Sequence, residues 1–155
     1  DIVRRPRVGD LCTALAVDGE VSIHYLTEDR ISELGALPDE IWDRAEENLL
    51  RQFSPLQVAM ASHDRGGRVL LPAEGEFFSS SLLVAEPVRE ALADQVKGDL
   101  LAAVPSRMLL AISGTEEPGG IDAFRRFVED VHRDDSDALS PSVLRWDGRA
   151  WAELS

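Results

Sequence analysis

The sequence has one cysteine, one lysine and no long apolar run. The single cysteine, Cys12, excludes an internal disulfide, and its place in the apolar stretch LCTALAV predicts a small buried thiol on a central strand. No apolar run approaches the roughly 20 residues that a membrane-spanning helix needs. The opening DIVRRPRVGD also lacks the apolar core of a signal peptide. We therefore expect a cytoplasmic protein that does not bind a membrane.

Basic residues are scarce beside acidic ones. The chain carries 29 Asp and Glu against 16 Lys and Arg, and both halves share the formal net charge of −13. At long range this field repels nucleic acid backbones and anionic membranes, and it favours a basic protein partner or a cationic ligand. A high acidic charge also serves solubility alone. The charge thus predicts no nucleic acid partner and leaves a basic partner and solubility as alternatives.

Turn residues indicate three antiparallel hairpins. Asp18–Gly19 lies between two β-rich runs in ALAVDGEVSIHYL, where Asp-Gly is typical of a type I′ turn. Gly66–Gly67 and Asp147–Gly148 occupy the same place in VAMASHDRGGRVLL and SVLRWDGRAWAEL. After the first turn, Ile23 and Tyr25 alternate with polar residues, which predicts one dry face for that strand.

Apolar spacing predicts two long helices between the hairpins. Residues 38–53 begin with a proline suited to a first helical turn, and they place Ile41 and Ala45 on one apolar stripe. Residues 120–133 follow Gly119–Gly120 with the same kind of spacing. Both segments are therefore expected to bury one face.

The order of the elements suggests a duplication. Two ββαββ units are predicted at about 11–71 and 100–153, bridged by 77–97. We expect a single α+β domain, residues 1–155, built from antiparallel sheets with helices packed on one side, because hairpins cannot supply parallel crossovers. The chain begins with Asp and reaches a strand pattern within about ten residues. It is therefore expected to be the C-terminal part of a longer protein.

The usual constellations of catalysis, metal binding and phosphate binding are not identifiable. The serine run Ser79–Ser81 lacks a Gly-x-Ser-x-Gly elbow and is typical of helix N-caps. His24, His63 and His132 stand singly, without metal-ligand spacing. The acidic run Asp134–Asp137 lacks the glycine and distal glutamate of an EF-hand. We assign no catalytic residue, metal or cofactor.

Three polar residues stand out from their apolar surroundings as weak ligand-binding candidates. Asn48 lies beside the stripe of the first long helix, where a buried amide needs partners; it makes either a structural hydrogen bond or a ligand contact. Ser106 and Arg107 interrupt two apolar runs in GDLLAAVPSRMLLAIS. Pro105 before them favours a turn joining two central strands, and the alternative is a functional site.

Five stretches follow one another along the chain: DGEVSIHYLTEDRISELG, AEENLL, SSSLLV, KGDLLAAVPSR with its following LLAIS, and LSPSVLRWDGRAW. Together they resemble the successive motifs of the YtpQ-like family of uncharacterised bacterial proteins, over about Leu11 to Leu154. The resemblance implies no established activity and a longer N-terminus. It also implies a Pro-Ser-Arg-Asp pattern in which Met108 replaces the acid here, which counts against a catalytic role for that segment.

These observations predict a non-catalytic protein-interaction or regulatory domain. The alternative is a small-molecule-binding domain or an enzyme whose pocket gathers Asn48, Ser106 and Arg107. A purely structural domain of a larger chain is a third interpretation.

Overall fold

The computed structural model describes residues 1–19, 22–35, 37–52, 59–63, 67–71 and 79–155. By their contacts, the residues group into two compact units, Asp1–Gln52 and Phe53–Ser155. The chain combines helices with antiparallel strands, which confirms the α+β class. Among the described residues, no helix is both long and apolar enough to span a membrane. The expectation of one domain stays a prediction.

Four short strands form the sheet structure of the first unit: β1 (Arg4–Pro6), β2 (Cys12–Ala14), β3 (Ala16–Asp18) and β4 (Ile23–Tyr25). β1 pairs with β2, and β3 pairs with β4, both antiparallel. Between the two pairs, Leu15 donates its N–H to the Val3 carbonyl at 3.1 Å and accepts the Leu26 N–H at 2.9 Å. The three segments therefore meet at Leu15, which is buried.

Two helices complete the first unit: α1 (Glu28–Leu34) and α2 (Pro38–Gln52). The Thr27 Oγ1 accepts the Arg30 N–H at 3.4 Å and caps α1, and Gly35 ends the helix with a φ of 64°. α2 begins at Pro38, as its sequence predicts. The helices supply most of the core of this unit, which consists of Leu15, Leu26 and Ile31 with half-buried Val3, Ile41, Trp42 and Ala45.

Two predictions about burial in the first unit are wrong. Cys12 is exposed rather than buried, because β2 belongs to a two-stranded sheet and not to the centre of a larger one. Ile23 and Tyr25 are exposed as well, and so is His24 between them. Alternation in this strand therefore does not mark a dry face.

One six-stranded antiparallel sheet organises the second unit. Its strands are β5 (Ala59–His63), β6 (Gly67–Leu71), β7 (Leu100–Ser106), β8 (Leu109–Gly114), β9 (Leu144–Trp146) and β10 (Trp151–Glu153). Their spatial order is β10-β9-β7-β8-β6-β5. β6 pairs with β8, so the β5–β6 hairpin joins the strands of the second predicted repeat. The duplicated ββαββ unit is not confirmed.

All three predicted hairpins are present, with one shift. Asp18 pairs with Ile23 and therefore belongs to β3, and the Gly19 N–H donates to the Ser22 carbonyl at 3.0 Å. The loop thus begins at Gly19, and Glu20–Val21 falls outside the described residues. The loop around Gly66 also falls outside them. The third hairpin turns at Asp147–Gly148, as expected.

Helical segments cover both faces of the six-stranded sheet. A 3₁₀ helix (Ser79–Val84) and α3 (Glu86–Ala93) occupy the predicted bridge, and α4 (Gly120–Asp134) follows β8. Leu101 packs with Phe124 of α4, whereas Leu100 lines a small apolar hollow with Leu82 of the 3₁₀ helix and Leu92 of α3. Neighbouring residues of a strand point to opposite faces. The expectation of helices on one side is therefore corrected: β7 is apolar along both faces and is buried throughout.

Candidate functional site

The segment between the two apolar runs is a tight turn. β7 ends at Ser106 and β8 begins at Leu109, and these residues pair with each other. Arg107 and Met108 therefore form the turn, and the Ser106 Oγ accepts the Met108 N–H at 3.1 Å. The register shifts beside Pro105, where a residue without an N–H removes no ladder hydrogen bond. The structure confirms the turn that the sequence favoured.

The segment 137–140 lies along the end of β7. The Arg107 N–H donates to the Asp137 carbonyl at 3.1 Å, and the Leu139 N–H donates to the Pro105 carbonyl at 2.9 Å. Asp137, the last residue of the acidic run, therefore lies beside the end of the buried strand β7. The sequence of this segment carries no local signal for such pairing.

Ser106 and Arg107 have different surroundings. Ser106 is fully buried, and its hydroxyl is engaged within the turn. Arg107 is half-buried; its carbonyl accepts the Ser80 N–H at 3.5 Å. Among the described residues, its guanidinium makes no ion pair. Ser106 therefore stabilises the turn, and the Arg107 side chain is the part of this segment that remains available.

Asn48 lies on α2 of the first unit, whereas Ser106 and Arg107 lie in the second. Its side chain is exposed, so the predicted buried amide is wrong. Leu49 is half-buried, and one helical step of about 100° separates the two residues. A pocket that gathers all three candidates stays a prediction.

The serine run does not cap a helix as predicted. Ser79 begins the 3₁₀ helix, is buried, and its Oγ has no hydrogen-bond partner in the part of the chain that the structure describes. The N-cap of α3 is Ala85, without a side-chain cap. A hydroxyl sealed from solvent in this way is not placed to attack a substrate.

The titratable residues singled out in the sequence make local contacts. His24 lies 2.7 Å from the Ser22 Oγ, and His132 lies in the last turn of α4, where a cation complements the helix dipole. Asp135 Oδ1 accepts the Asp137 N–H at 2.7 Å. Within residues 1–19, 22–35, 37–52, 59–63, 67–71 and 79–155, no three His, Cys, Asp or Glu side chains are grouped to hold a metal ion.

Among the side chains that the structure describes, most of the exposed large apolar ones lie in the first unit. In the described residues, seven large apolar side chains are at least 36% exposed. Of these seven described side chains, Leu139 is the one that belongs to the second unit. Singly scattered residues of this kind are normal on monomeric proteins, whereas a contiguous apolar patch marks an interaction surface. The exposed apolar residues of the first unit are Ile2, Val17, Ile23, Tyr25, Leu34 and Leu37.

Leu34 and Leu37, here called the apolar corner, are the two most exposed of these side chains, at 58% and 66%. They flank the Gly35 cap between α1 and α2. The Glu40 carboxylate accepts the Leu37 N–H at 3.2 Å and fixes the entry into α2. Leu34 thus ends α1, Leu37 directly precedes α2, and both side chains are exposed.

Comparison with known proteins adds no relative. No protein family, curated protein or solved structure matches the chain. Function is therefore inferred from the chemistry of the described side chains.

An aromatic cluster, which the sequence does not predict, joins α3 to the β9–β10 hairpin at the edge of the sheet. The Arg89 guanidinium lies 3.9 Å from the centre of the Trp146 ring and 2.9 Å from the Glu86 carboxylate. Trp146 and Trp151 meet edge to face, with ring centres 5.4 Å apart. Arg89 is only 16% exposed, so this cluster closes the apolar hollow rather than presenting a free cation.

Proposed function

We propose that this protein is a non-catalytic protein-interaction domain whose partner is bound by the first unit. The observation that carries the proposal is that six of the seven exposed large apolar side chains in the described part of the chain lie in Asp1–Gln52. Tyr25 is 51% exposed on the β3–β4 hairpin, and tyrosine is among the residues that contribute most at protein interfaces.

The charge of the chain supports a basic partner. Residues 1–52 carry 12 acidic and six basic side chains, so the exposed apolar residues lie in a negative field. Such a field raises the rate of encounter with a basic protein and repels nucleic acid. The single cysteine favours a reducing compartment, and we place the interaction in the cytoplasm.

We also propose that the chain is related to the YtpQ-like family that it resembles. Three of the motifs that carry it contact one another in the second unit: Ser80 bonds to Arg107, and 137–140 pairs with the end of β7. Stretches far apart in the sequence thus meet around one turn. The family has no established activity, which agrees with an interaction domain and does not require one.

The test is a binding measurement on matched variants. A tagged protein is used at low salt to recover a partner from an extract of its source organism, and the partner is then purified and titrated with the wild type. We expect Tyr25→Ser to weaken binding about tenfold or more. Leu139→Ser, at the 41% exposed leucine of the second unit, is expected to leave it unchanged.

Circular dichroism shows whether both variants keep the wild-type fold. No partner that binds the purified protein, or equal binding by both variants, would contradict the proposal.

A further inference from the structure

We infer that the apolar corner and the acidic outer face of α2 bind a basic amphipathic helix of the partner protein. This inference rests on the proposed function and names the chemistry of its partner. Two independent observations support the inference. Leu34 and Leu37 are exposed, and the charges that follow them on α2 are negative and recur at helical spacing.

The apolar corner supplies a hydrophobic anchor. Leu34 and Leu37 leave more than half of their surface in water, and burying a leucine side chain fully contributes on the order of 2 kcal/mol. Gly35 ends α1 directly after Leu34, and the Glu40 carboxylate accepts the Leu37 N–H at the start of α2. A partner that covers these two side chains removes apolar surface from water.

The acids of α2 determine the sign of the occupant. Glu40, Asp43 and Glu47 are exposed and recur at helical spacing, so they form one stripe that begins three residues after Leu37. Arg44 and Arg51 both lie near Glu47, at 3.9 and 3.6 Å.

Within the described chain, Glu40 and Asp43 make no ion pair. Two carboxylates without a described ion-pair partner therefore lie at the end of the stripe nearest the apolar corner, although that of Glu40 also accepts the Leu37 N–H. This is where basic side chains of a partner would be stabilised most.

A partner helix matches this arrangement. Lysine or arginine side chains at the same three- and four-residue intervals would face the stripe along about two turns of α2. Apolar side chains at one end of the partner helix would then reach the corner. A second copy of this chain presents the same carboxylates, so like charges oppose self-association through this face.

The experiment uses a defined probe. An alanine-based peptide of about 18 residues, long enough to be helical in water, carries two leucines at one end and arginine at every third or fourth position after them. A second peptide replaces each arginine with glutamate. Fluorescence anisotropy gives the affinity of each labelled peptide for the full chain, and amide chemical shifts locate the contact.

We expect the basic peptide to bind, the acidic peptide not to bind, and the shifts to fall on α1 and α2. Leu37→Ser should weaken binding about tenfold, whereas Leu139→Ser should not change it. Glu40→Gln with Asp43→Asn should weaken binding and reduce its dependence on salt. Asp122→Asn with Glu129→Gln, a matched exposed pair on α4, should do neither.

Three results would overturn the inference. If the Leu37→Ser variant binds the basic peptide as tightly as the wild type, charge attraction alone accounts for the binding. Equal binding by the acidic peptide would remove the charge argument. Self-association that is lost in Leu37→Ser, measured by sedimentation, would make a second copy the occupant.

The two proposals fail separately. If a partner binds in a Tyr25-dependent manner but the basic helix does not bind, the inference fails and the interaction function stands. If no purified partner binds at all, the proposed function fails.

Discussion

Asp147 illustrates how one side chain fixes a turn. Its Oδ1 accepts the N–H groups of Arg149 and Ala150, both at 2.8 Å. These hydrogen bonds stabilise the charged carboxylate, and they lower the pKa of Asp147 below its ordinary value, the Ala150 amide contributing most. Ionisation of this group therefore stabilises the turn of the β9–β10 hairpin.

This pKa predicts how stability changes with pH. Because the pKa is lower in the folded state, the carboxylate stabilises the fold at pH values above its unfolded pKa. The contribution is lost as the pH falls through the folded pKa. We expect Asp147→Ala to lose less free energy of unfolding than the wild type between neutral and acidic pH, as measured by urea unfolding.

The pKa of the Asp147 carboxyl is measured directly by NMR titration. Glu129→Ala, at an exposed carboxylate on α4, serves as the control and should keep the wild-type pH dependence. An ordinary pKa for Asp147 would contradict the prediction.

Among the elements, β8 ends at a point where a side chain has no space. Gly114 is its last residue, and a Cβ added there would lie 2.0 Å from the Lys97 carbonyl oxygen. That carbonyl also accepts the Glu116 N–H at 3.0 Å, so it cannot move aside freely. By contrast, a Cβ at Gly148 would have no atom within 4 Å, although the φ of that residue is +95°.

The two glycines therefore predict different costs. Gly114→Ala should destabilise the protein by about 3 kcal/mol, because the backbone must shift to remove the overlap. Gly148→Ala should cost about 1 kcal/mol, from the unfavourable φ alone. Urea unfolding of both variants measures the difference, and equal costs would show that the backbone near Lys97 yields easily.

For the whole molecule, net charge predicts which partners are excluded. A formal net charge of −13 repels the phosphates of nucleic acids at distances within the Debye length. We expect no retardation of duplex DNA by the protein in gel electrophoresis, even at low salt. A retarded complex that dissociates as salt is raised would contradict this expectation and reveal a local basic surface.

The candidate site was predictable only in part. Pro105 and the apolar runs around it predict a turn at this point because turn chemistry is local, but the turn lies at Arg107 and Met108, since Pro105 and Ser106 still belong to β7. Asn48 was misplaced, because one helical step decides whether a residue at the edge of a stripe is buried. The apolar corner was missed, since the sequence shows that Leu34 and Leu37 are apolar but not that they are left uncovered.

The sequence by itself determined the α+β class, the hairpins, the long helices and the β7–β8 turn. These features depend on residues that are neighbours in the chain, through periodicity and turn chemistry. Only the tertiary structure decided that β6 pairs with β8, that helical segments cover both faces of the six-stranded sheet, and that Cys12 is exposed. Those features depend on which distant segments pack together, and many arrangements satisfy the same local pattern.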